Sequence, residues 1–288
     1  MRLVSLKDGR TARLDDDELT PLPGRLVDHL CRPEAKPAGP SFPYDPWLVA
    51  PPISRPGKIV GVGLNYEDHA AEGGREIPER PMLFSKFPTS VIATGEPIVM
   101  PPGEVRLDYE AELAVVIGAP AKNLTTDEAP RIIGGYACFN DVSERVAQQG
   151  DVQFQRGKSY DTFAPFGPIV ATPDEVDAGE LSVRCWVNDE LRQDGNTARM
   201  VFSPAELVSF CSRAFSLEPG DVIATGTPAG VGLGSGKYLN PGDVVRIEID
   251  GLGVLENPVA GPPESARDQR EDAGRSSGTP LDAERSHY

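Results

Sequence analysis

The chain has 288 residues and carries 28 basic against 44 acidic side chains, a formal net charge of −16. Such an acidic surface repels phosphate backbones and anionic lipids, so nucleic acids and membrane surfaces are not expected partners. No run approaches the ~20 apolar residues of a transmembrane helix, and the N-terminus lacks the pattern of a signal peptide, so the sequence predicts a cytoplasmic protein.

Cysteine and histidine usage narrows the possible metal chemistry. The four cysteines are scattered without a CxxC pair, which favours reduced thiols. Histidine occurs only three times. A metal site must therefore be built mainly from carboxylates, which favours hard ions such as Mg²⁺ or Mn²⁺ over zinc.

Residues 1–54 predict a small N-terminal domain that ends in a linker. The segment RLVSL-KDG-RTARL alternates as a β-hairpin does, with Asp8-Gly9 at the turn. A short helix is predicted around Leu26–Leu30. The Pro-rich stretch PEAKPAGPSFPYDP that follows is typical of a linker.

Short strand-like runs, rich in Val and Ile and bounded by Gly, Pro or Asp, dominate residues 55–262. They are KIVGVG (58–63), MLFSK (82–86), LDYEAELAVVIG (107–118), YACFND (136–141), LSVRCWV (181–187), DVIATG (221–226) and DVVRIEI (243–249). Few helices intervene, which does not fit the strand–helix alternation of a doubly wound fold. We predict a β-rich α+β fold whose strands curl into a roll or sandwich.

The clearest helix begins after Ser203, a good N-cap, with Pro204 at the first helical position. One face of this helix would carry Leu207, Phe210, Cys211 and Ala214. Shorter helices are predicted at 66–72 and 125–133. Residues 263–288 are charged and small, with almost no aliphatic side chains, so we expect a disordered acidic tail.

Two carboxylates share a face in the segment LDYEAELAVVI. Alternation along a strand places Glu110 and Glu112 about 7 Å apart on the same side. A divalent cation between them would remove their repulsion, although a solvated acidic stripe that includes Asp108 explains the pattern equally well. Asp141, where an apolar run ends, is a third possible ligand or an ordinary turn or N-cap residue.

A histidine and a carboxylate lie one helical turn apart in NYEDHAAEGG. Asn65 is predicted to cap a short helix that the glycine pair 73–74 ends. His69 and Glu72, at i and i+3, then share a face. A carboxylate beside an imidazole fixes its tautomer and raises its basicity, which suits a general base; a solvated helix face is the alternative.

Few basic residues lie near these carboxylates in the sequence. Arg145 and Gln148 follow Asp141 by four and seven residues, so on one helix all three would share a face. Lys158 precedes the stiff segment APFGP. A cation held in a cleft would bind a substrate carboxylate, whereas ordinary surface charge is the alternative.

These segments, in this order, resemble the fumarylacetoacetate hydrolase superfamily from about residue 58 to residue 259. The matching stretches are GVGLNYEDHAAE, PMLFSKFPTSV, DYEAELAVVIG, FNDVSERVAQ, KSYDTFAPFGP, VNDELRQDGNT, GDVIATGTPAGVG and GLGVLENPV. The resemblance implies a catalytic domain built as a mixed β-sandwich roll, usually homodimeric. The branch it is most similar to contains acylpyruvate hydrolases, oxaloacetate decarboxylases and isomerases or hydratases of dienedioates.

The resemblance also implies roles for individual residues. The three carboxylates Glu110, Glu112 and Asp141 match the family's Mg²⁺ or Mn²⁺ ligands, and His69 with Glu72 matches its catalytic dyad. The positions that match those holding a 2-oxo acid are Arg145, Gln148, Lys158 and Thr227, and Lys158 is also a candidate catalytic residue.

We therefore expect a divalent-metal-dependent hydrolase that cleaves a C–C bond in an acylpyruvate or related 2,4-dioxo acid through a metal-stabilised enolate. The same enolate serves 2-hydroxyhepta-2,4-diene-1,7-dioate isomerisation or hydration and oxaloacetate decarboxylation, which are the alternatives. A non-catalytic binding protein on the same fold is a further alternative, and retention of the ligand set and the dyad argues against it.

Overall fold

The computed structural model describes residues 1–32 and 36–263. Its strands are β1 (Arg2–Leu6), β2 (Thr11–Asp15), β3 (Glu18–Leu22), β4 (Phe42–Pro43), β5 (Val49–Ala50), β6 (Ile59–Gly63), β7 (Met82–Lys86), β8 (Val91–Ile92), β9 (Ile98–Val99), β10 (Leu107–Asp108), β11 (Ala111–Ile117), β12 (Ile133–Asn140), β13 (Ser143–Glu144), β14 (Ala164–Pro165), β15 (Val170–Ala171), β16 (Ser182–Val187), β17 (Glu190–Asn196), β18 (Val222–Ala224), β19 (Val244–Ile249) and β20 (Val254–Ala260). The helices are α1 (Glu67–Glu72), α2 (Arg145–Gly150), α3 (Gln155–Lys158), α4 (Pro204–Ala214) and α5 (Gly232–Ser235).

Two large sheets contain most of these strands, and the pairs β10–β13 and β14–β8 form two small ones. The larger runs β4-β3-β2-β1-β15-β12-β11-β18-β6-β7, with β5 attached to β1, and the smaller runs β17-β16-β19-β20-β9. Neighbours are mostly antiparallel, and the parallel pair β18–β6 lies next to β11 in the larger sheet. The expected β-rich α+β class and sandwich roll are therefore confirmed.

Strand β11 lies at the centre of the larger sheet and is buried on both faces. Leu113 and Val115 join a core cluster with residues of β16 and β19, whereas Ala114 and Val116 join a second cluster on the other face. Alternate side chains of a strand point to opposite faces, so burial of both faces requires an unbroken apolar run. This explains the sequence AVVI and fixes the strand that leads to Glu110 and Glu112.

The N-terminal strands extend the larger sheet. The predicted hairpin is confirmed, since β1 pairs with β2 from Arg2↔Leu14 to Ser5↔Thr11. Strand β1 also pairs with β15, so these strands continue the sheet that contains β11. The domain boundaries at residues 54 and 262 stay predictions. The acidic tail, apart from its first residue, and His287 lie outside the described residues.

The helix predictions have mixed outcomes. Helix α4 is confirmed with Ser203 as N-cap in a capping box with Glu206. The segments predicted at 26–30 and 125–133 contain only the 3₁₀ turns Leu26–Asp28 and Ala129–Ile132. Within the described part of the chain, none of the helices combines the length and the apolar character that crossing a membrane requires.

Asn65 does not cap α1, contrary to the prediction, because Tyr66 occupies the N-cap position. The Asn65 amide instead donates to the carbonyls of Phe202 and Thr225 and accepts from the Phe202 N–H, at 2.7–3.0 Å. The side chain is fully buried, so these bonds replace water that the backbone groups cannot reach. Asn65 thereby joins the end of β6 to the segments before α4 and after β18.

Replacing Asn65 with Ala should lower the free energy of unfolding by ~1–3 kcal/mol, because buried backbone groups lose their partners. Urea unfolding followed by circular dichroism measures the change. Asn240→Ala, at an exposed position with one weak hydrogen bond, is the matched control and should change it by less than ~0.5 kcal/mol. Equal stabilities of the two variants would contradict this role of Asn65.

Candidate active site

The strand predicted at 107–118 is interrupted at its acidic end. β10 pairs with β13 and β11 begins at Ala111, so Glu110 lies in the break. Side chains satisfy the backbone there: Asn140 Oδ1 accepts from the Glu110 N–H at 3.1 Å, and Gln193 Oε1 accepts from the Ala111 N–H at 2.9 Å. The backbone N–H groups at the break are therefore hydrogen-bonded, with partners provided by neighbouring strands.

The three predicted ligands come together next to this break. Glu110, Glu112 and Asp141 are buried and offer oxygens that all lie within 4.8 Å of one another. Burial raises the pKa of Glu112 well above its usual range, and the carboxylates of Asp141 and Glu110 raise it further. Carboxylate oxygens that are buried and repel one another at this spacing fit a hard divalent cation, which would relieve the repulsion.

Two buried lysines pair with the same carboxylates. Lys158 Nζ donates to Glu110 Oε2 at 2.5 Å and to Asp141 Oδ2 at 2.6 Å. Lys86 Nζ donates to Asp141 Oδ1 at 2.5 Å and to the Val142 carbonyl at 3.1 Å. Burial lowers the pKa of Lys86, whereas for Lys158 the neighbouring Asp141 and Glu110 outweigh burial and raise the pKa.

Arg145 reaches Glu110 from the first turn of α2. Its guanidinium donates to Asp108 Oδ2 at 2.8 Å, to Glu110 Oε1 at 2.6 Å and to Gln148 Oε1 at 2.7 Å. Burial alone would raise the pKa of Glu110, but Lys158 and Arg145 hold it below the usual range. The three guanidinium nitrogens are thus engaged within the protein.

Asp141 lies outside α2, so the expectation that it shares a helix face with Arg145 and Gln148 is wrong. The chain passes through β13 first, and Glu144 caps the helix by accepting from the N–H groups of Val146 and Ala147. Asp141 is held instead by backbone pairing, since its N–H donates to the Glu110 carbonyl at 2.9 Å.

The segment after β18 closes the site around Glu112. The Gly226 N–H donates to Glu112 Oε2 at 2.9 Å. The Thr227 hydroxyl donates to the Ala111 carbonyl at 2.8 Å and accepts from Gln193 Nε2 at 2.7 Å. Thr227 is therefore fixed by two hydrogen bonds on the wall of the site.

His69 and Glu72 face each other on α1, as the spacing predicts. His69 Nδ1 lies 3.6 Å from Glu72 Oε2, and this buried nitrogen has no hydrogen-bond partner among the described residues. The Gly230 N–H lies 3.2 Å from both Glu72 oxygens and holds the carboxylate in place. A small rotation of either side chain would complete the imidazole–carboxylate hydrogen bond.

These elements enclose a cavity of about 310 Å³. It is lined by seven of the predicted site residues, namely His69, Glu110, Glu112, Arg145, Gln148, Lys158 and Thr227. Asp141 and Glu72 do not line it but lie directly behind Lys158 and His69. Apolar side chains such as Met82, Phe84 and Phe154 complete the wall.

Sequence reasoning missed two residues that support the site, Lys86 and Gln193. Lys86 ends a strand whose other residues are mostly apolar, and a lysine that shares a strand face with Met82 and Phe84 was the available signal. Gln193, also fully buried, bridges the Ala111 N–H and the Thr227 hydroxyl. Nothing in its surrounding sequence marks it as buried.

Comparisons with known proteins agree with this fold. The model of the family "Fumarylacetoacetate (FAA) hydrolase C-terminal" matches residues 58–260. The chain thus belongs to the fumarylacetoacetate hydrolase family.

Three relatives show the range of named activities in the family. Oxaloacetate tautomerase fahd2, mitochondrial, of Xenopus laevis is 43% identical over 72% of this chain and 67% of its own length. The structure of 5-carboxymethyl-2-hydroxymuconate delta-isomerase from Mycobacterium smegmatis is 33% identical, with a TM-score of 0.79 over 91% of this chain and 100% of that one. Maleylpyruvate hydrolase from Sphingobium sp. SYK-6, solved with manganese(II) and pyruvate, is 27% identical, with a TM-score of 0.73 over 91% and 100%.

Glu112→Gln should weaken Mn²⁺ binding by ~100-fold or more, because even residues that only support a metal ligand contribute 10–100-fold. Titration calorimetry with MnCl₂ measures the dissociation constant, and circular dichroism checks the fold. Glu128→Gln, at an exposed position, is the control and should bind as the unmodified protein does. Undiminished Mn²⁺ binding by the Glu112 variant would remove this residue from the ligand set.

Lys86→Met should lower the free energy of unfolding by ~3–5 kcal/mol, because it leaves the buried Asp141 carboxylate without one of its two ion pairs. Urea denaturation without added metal measures this. Lys237→Met, which breaks an exposed pair with Glu190, should cost less than ~1 kcal/mol. Comparable losses in the two variants would show that Lys86 has no special structural weight.

Proposed function

We propose that this member of the family is a divalent-metal-dependent hydrolase that cleaves a C–C bond in an acylpyruvate or related 2,4-dioxo acid. The observation that carries the proposal is one cavity that joins the carboxylate cluster to the His69–Glu72 pair. The metal would be Mg²⁺ or Mn²⁺, held by Glu110, Glu112 and Asp141. The manganese(II) and pyruvate in the related maleylpyruvate hydrolase structure support this choice.

The buried end of the cavity suits the 2-oxo acid group. Because arginine has only donors, Arg145 fixes the Gln148 amide with its oxygen inward and leaves the Gln148 NH₂ to donate to a substrate carboxylate. Lys158 adds a positive charge. Arg145 is predicted to contact the substrate, and its engaged nitrogens also let it orient Glu110 and Gln148. A bound divalent cation supplies Lewis-acid stabilisation of the developing enolate.

Hydrolysis needs a base at the other end of the substrate, and we assign this role to His69. His69 removes a proton from water while Glu72 stabilises the imidazolium through Nδ1. The hydroxide adds to the distal carbonyl carbon, and the bond between that carbon and the methylene carbon breaks. Its electron pair passes into the enolate of the 2-oxo acid, and the proton carried by His69 returns to the methylene carbon. The products are a carboxylic acid and a 2-oxo acid.

Isomerisation or tautomerisation is the second candidate. Its support is Lys158, whose ammonium lines the cavity beside the carboxylates and so could move a proton without an attacking water. The tautomerase and isomerase relatives show that the family contains such reactions. In this candidate His69 is dispensable, which makes the two reactions separable by one substitution.

His69→Ala should reduce kcat for acylpyruvate hydrolysis by ~10²–10⁴-fold, the usual contribution of a general base. The assay follows loss of the enol absorbance of the dioxo acid together with formation of the 2-oxo acid product. Binding of Mn²⁺ and oxalate should stay unchanged, because His69 is not a ligand in this assignment.

Glu67→Gln is the matched control, since it lies exposed on the same short helix. It should retain kcat within ~2-fold. An isomerase would tolerate His69→Ala within a few fold on an enol substrate. Unaltered hydrolysis of the acylpyruvate by the His69 variant would overturn the assignment of a His69 base.

A further inference from the structure

The cavity has a buried end, which carries charged side chains of both signs, and an open rim. At the buried end, Glu112, Arg145 and Lys158 are each no more than 2% exposed. At the rim, Val152 is 89% exposed and Leu233 is 40% exposed. A linear substrate bound with its 2-oxo acid group inside therefore has its distal end near the rim.

Arg75 is an exposed residue that lines this rim. It lies three residues after the end of α1. The other titratable residues that line the cavity are His69, Glu110, Glu112, Arg145 and Lys158. Arg145 and Lys158 are ion-paired at the buried end, whereas no carboxylate within the described residues forms an ion pair with Arg75. Its guanidinium is thus available to a ligand.

We propose that Arg75 selects substrates with a second carboxylate at the distal end, so that the preferred substrate class is 2-oxo dicarboxylic acids. Turnover of such substrates rests on the proposed function, whereas their binding at Arg75 does not. The cavity of about 310 Å³ holds about ten water-sized atoms at ~30 Å³ each, which leaves room beyond a pyruvate-like group. A guanidinium fork matches a carboxylate in two parallel hydrogen bonds.

The overall charge makes this arginine more significant. A chain with net charge −16 repels dianions, so a dicarboxylate gains from a local positive charge at the entrance. The apolar wall formed by Met82, Phe84 and Phe154 separates the two charged ends. The arrangement matches a molecule with an anionic group at each end and an apolar spacer between them.

Binding of unreactive probes tests the inference apart from catalysis. With Mn²⁺ present, 2-oxoadipate should bind more tightly than 2-oxohexanoate, which has the same 2-oxo acid end and no second carboxylate. Arg75→Met should weaken 2-oxoadipate binding ~10–100-fold and change 2-oxohexanoate binding by less than ~2-fold. Arg75→Lys should retain part of the preference, because the charge remains without the fork. Titration calorimetry gives all of these dissociation constants.

Arg80→Met is the matched control, being an exposed arginine on the same segment that does not line the cavity. It should leave both affinities unchanged. Equal weakening of both probes by Arg75→Met, or the same loss in Arg80→Met, would overturn the inference. So would equal affinity of the unmodified protein for the two probes.

Kinetics then separates the two proposals. The substrate 2,4-dioxoheptanedioate and its distal monoamide differ only in the second charge. Arg75→Met should raise KM ~10–100-fold for the diacid alone. If the protein hydrolyses neither compound yet shows the Arg75-dependent binding, the proposed hydrolysis fails and this inference stands. If the unmodified protein hydrolyses both compounds with equal KM, the proposed hydrolysis stands and this inference fails.

Discussion

Carboxylates buried beside one another repel strongly, because the surrounding protein screens their charges far less than water does. This protein buries four of them close together and opposes them with three buried cations. The carboxylates are Asp108, Glu110, Glu112 and Asp141, and the cations are Lys86, Arg145 and Lys158. The set is therefore short of one positive charge when every group is ionised. Under the proposed function, a divalent cation would reverse that sign and a singly charged 2-oxo acid would restore neutrality.

The fold brings the residues of this charged cluster together. They come from the ends of β7, β10, β12 and β11 and from the helices α2 and α3, which lie far apart in the sequence. Burying ionised groups costs several kcal/mol each, and only well-fixed partners compensate for it. Strand β11, packed on both faces, supplies that rigidity. The flanking interruption at Glu110 is tolerated because Asn140 and Gln193 satisfy its backbone.

How far the sequence predicts the structure depends on whether the signal is local. The strands and the capped helix α4 were predictable because alternation, β-branched residues and a Ser-Pro start act within a few positions. Glu112 and Asp141 were found because they border apolar runs. The role of Asn65 was mistaken, since its three partners lie more than a hundred residues away. Lys86 was missed for the same reason, because its pairing with Asp141 forms only after the chain brings the ends of β7 and β12 together.

The buried floor of the cavity is built by strand β11 and the helices α2 and α3, whereas its rim is built by exposed segments. Under the proposed function, this floor would hold the 2-oxo acid end through buried charges that pair with one another, so removal of any one of them leaves a buried partner unpaired. The segment from α1 to β7, by contrast, carries His69, Glu72 and Arg75 on six helical residues and an exposed connection. Substitution of Arg75 costs little stability, because it is exposed and exposed positions contribute little to packing. Under the proposed function, the reaction and the preference for the distal end of the substrate would therefore depend on this segment, whereas the buried charges would hold the 2-oxo acid end.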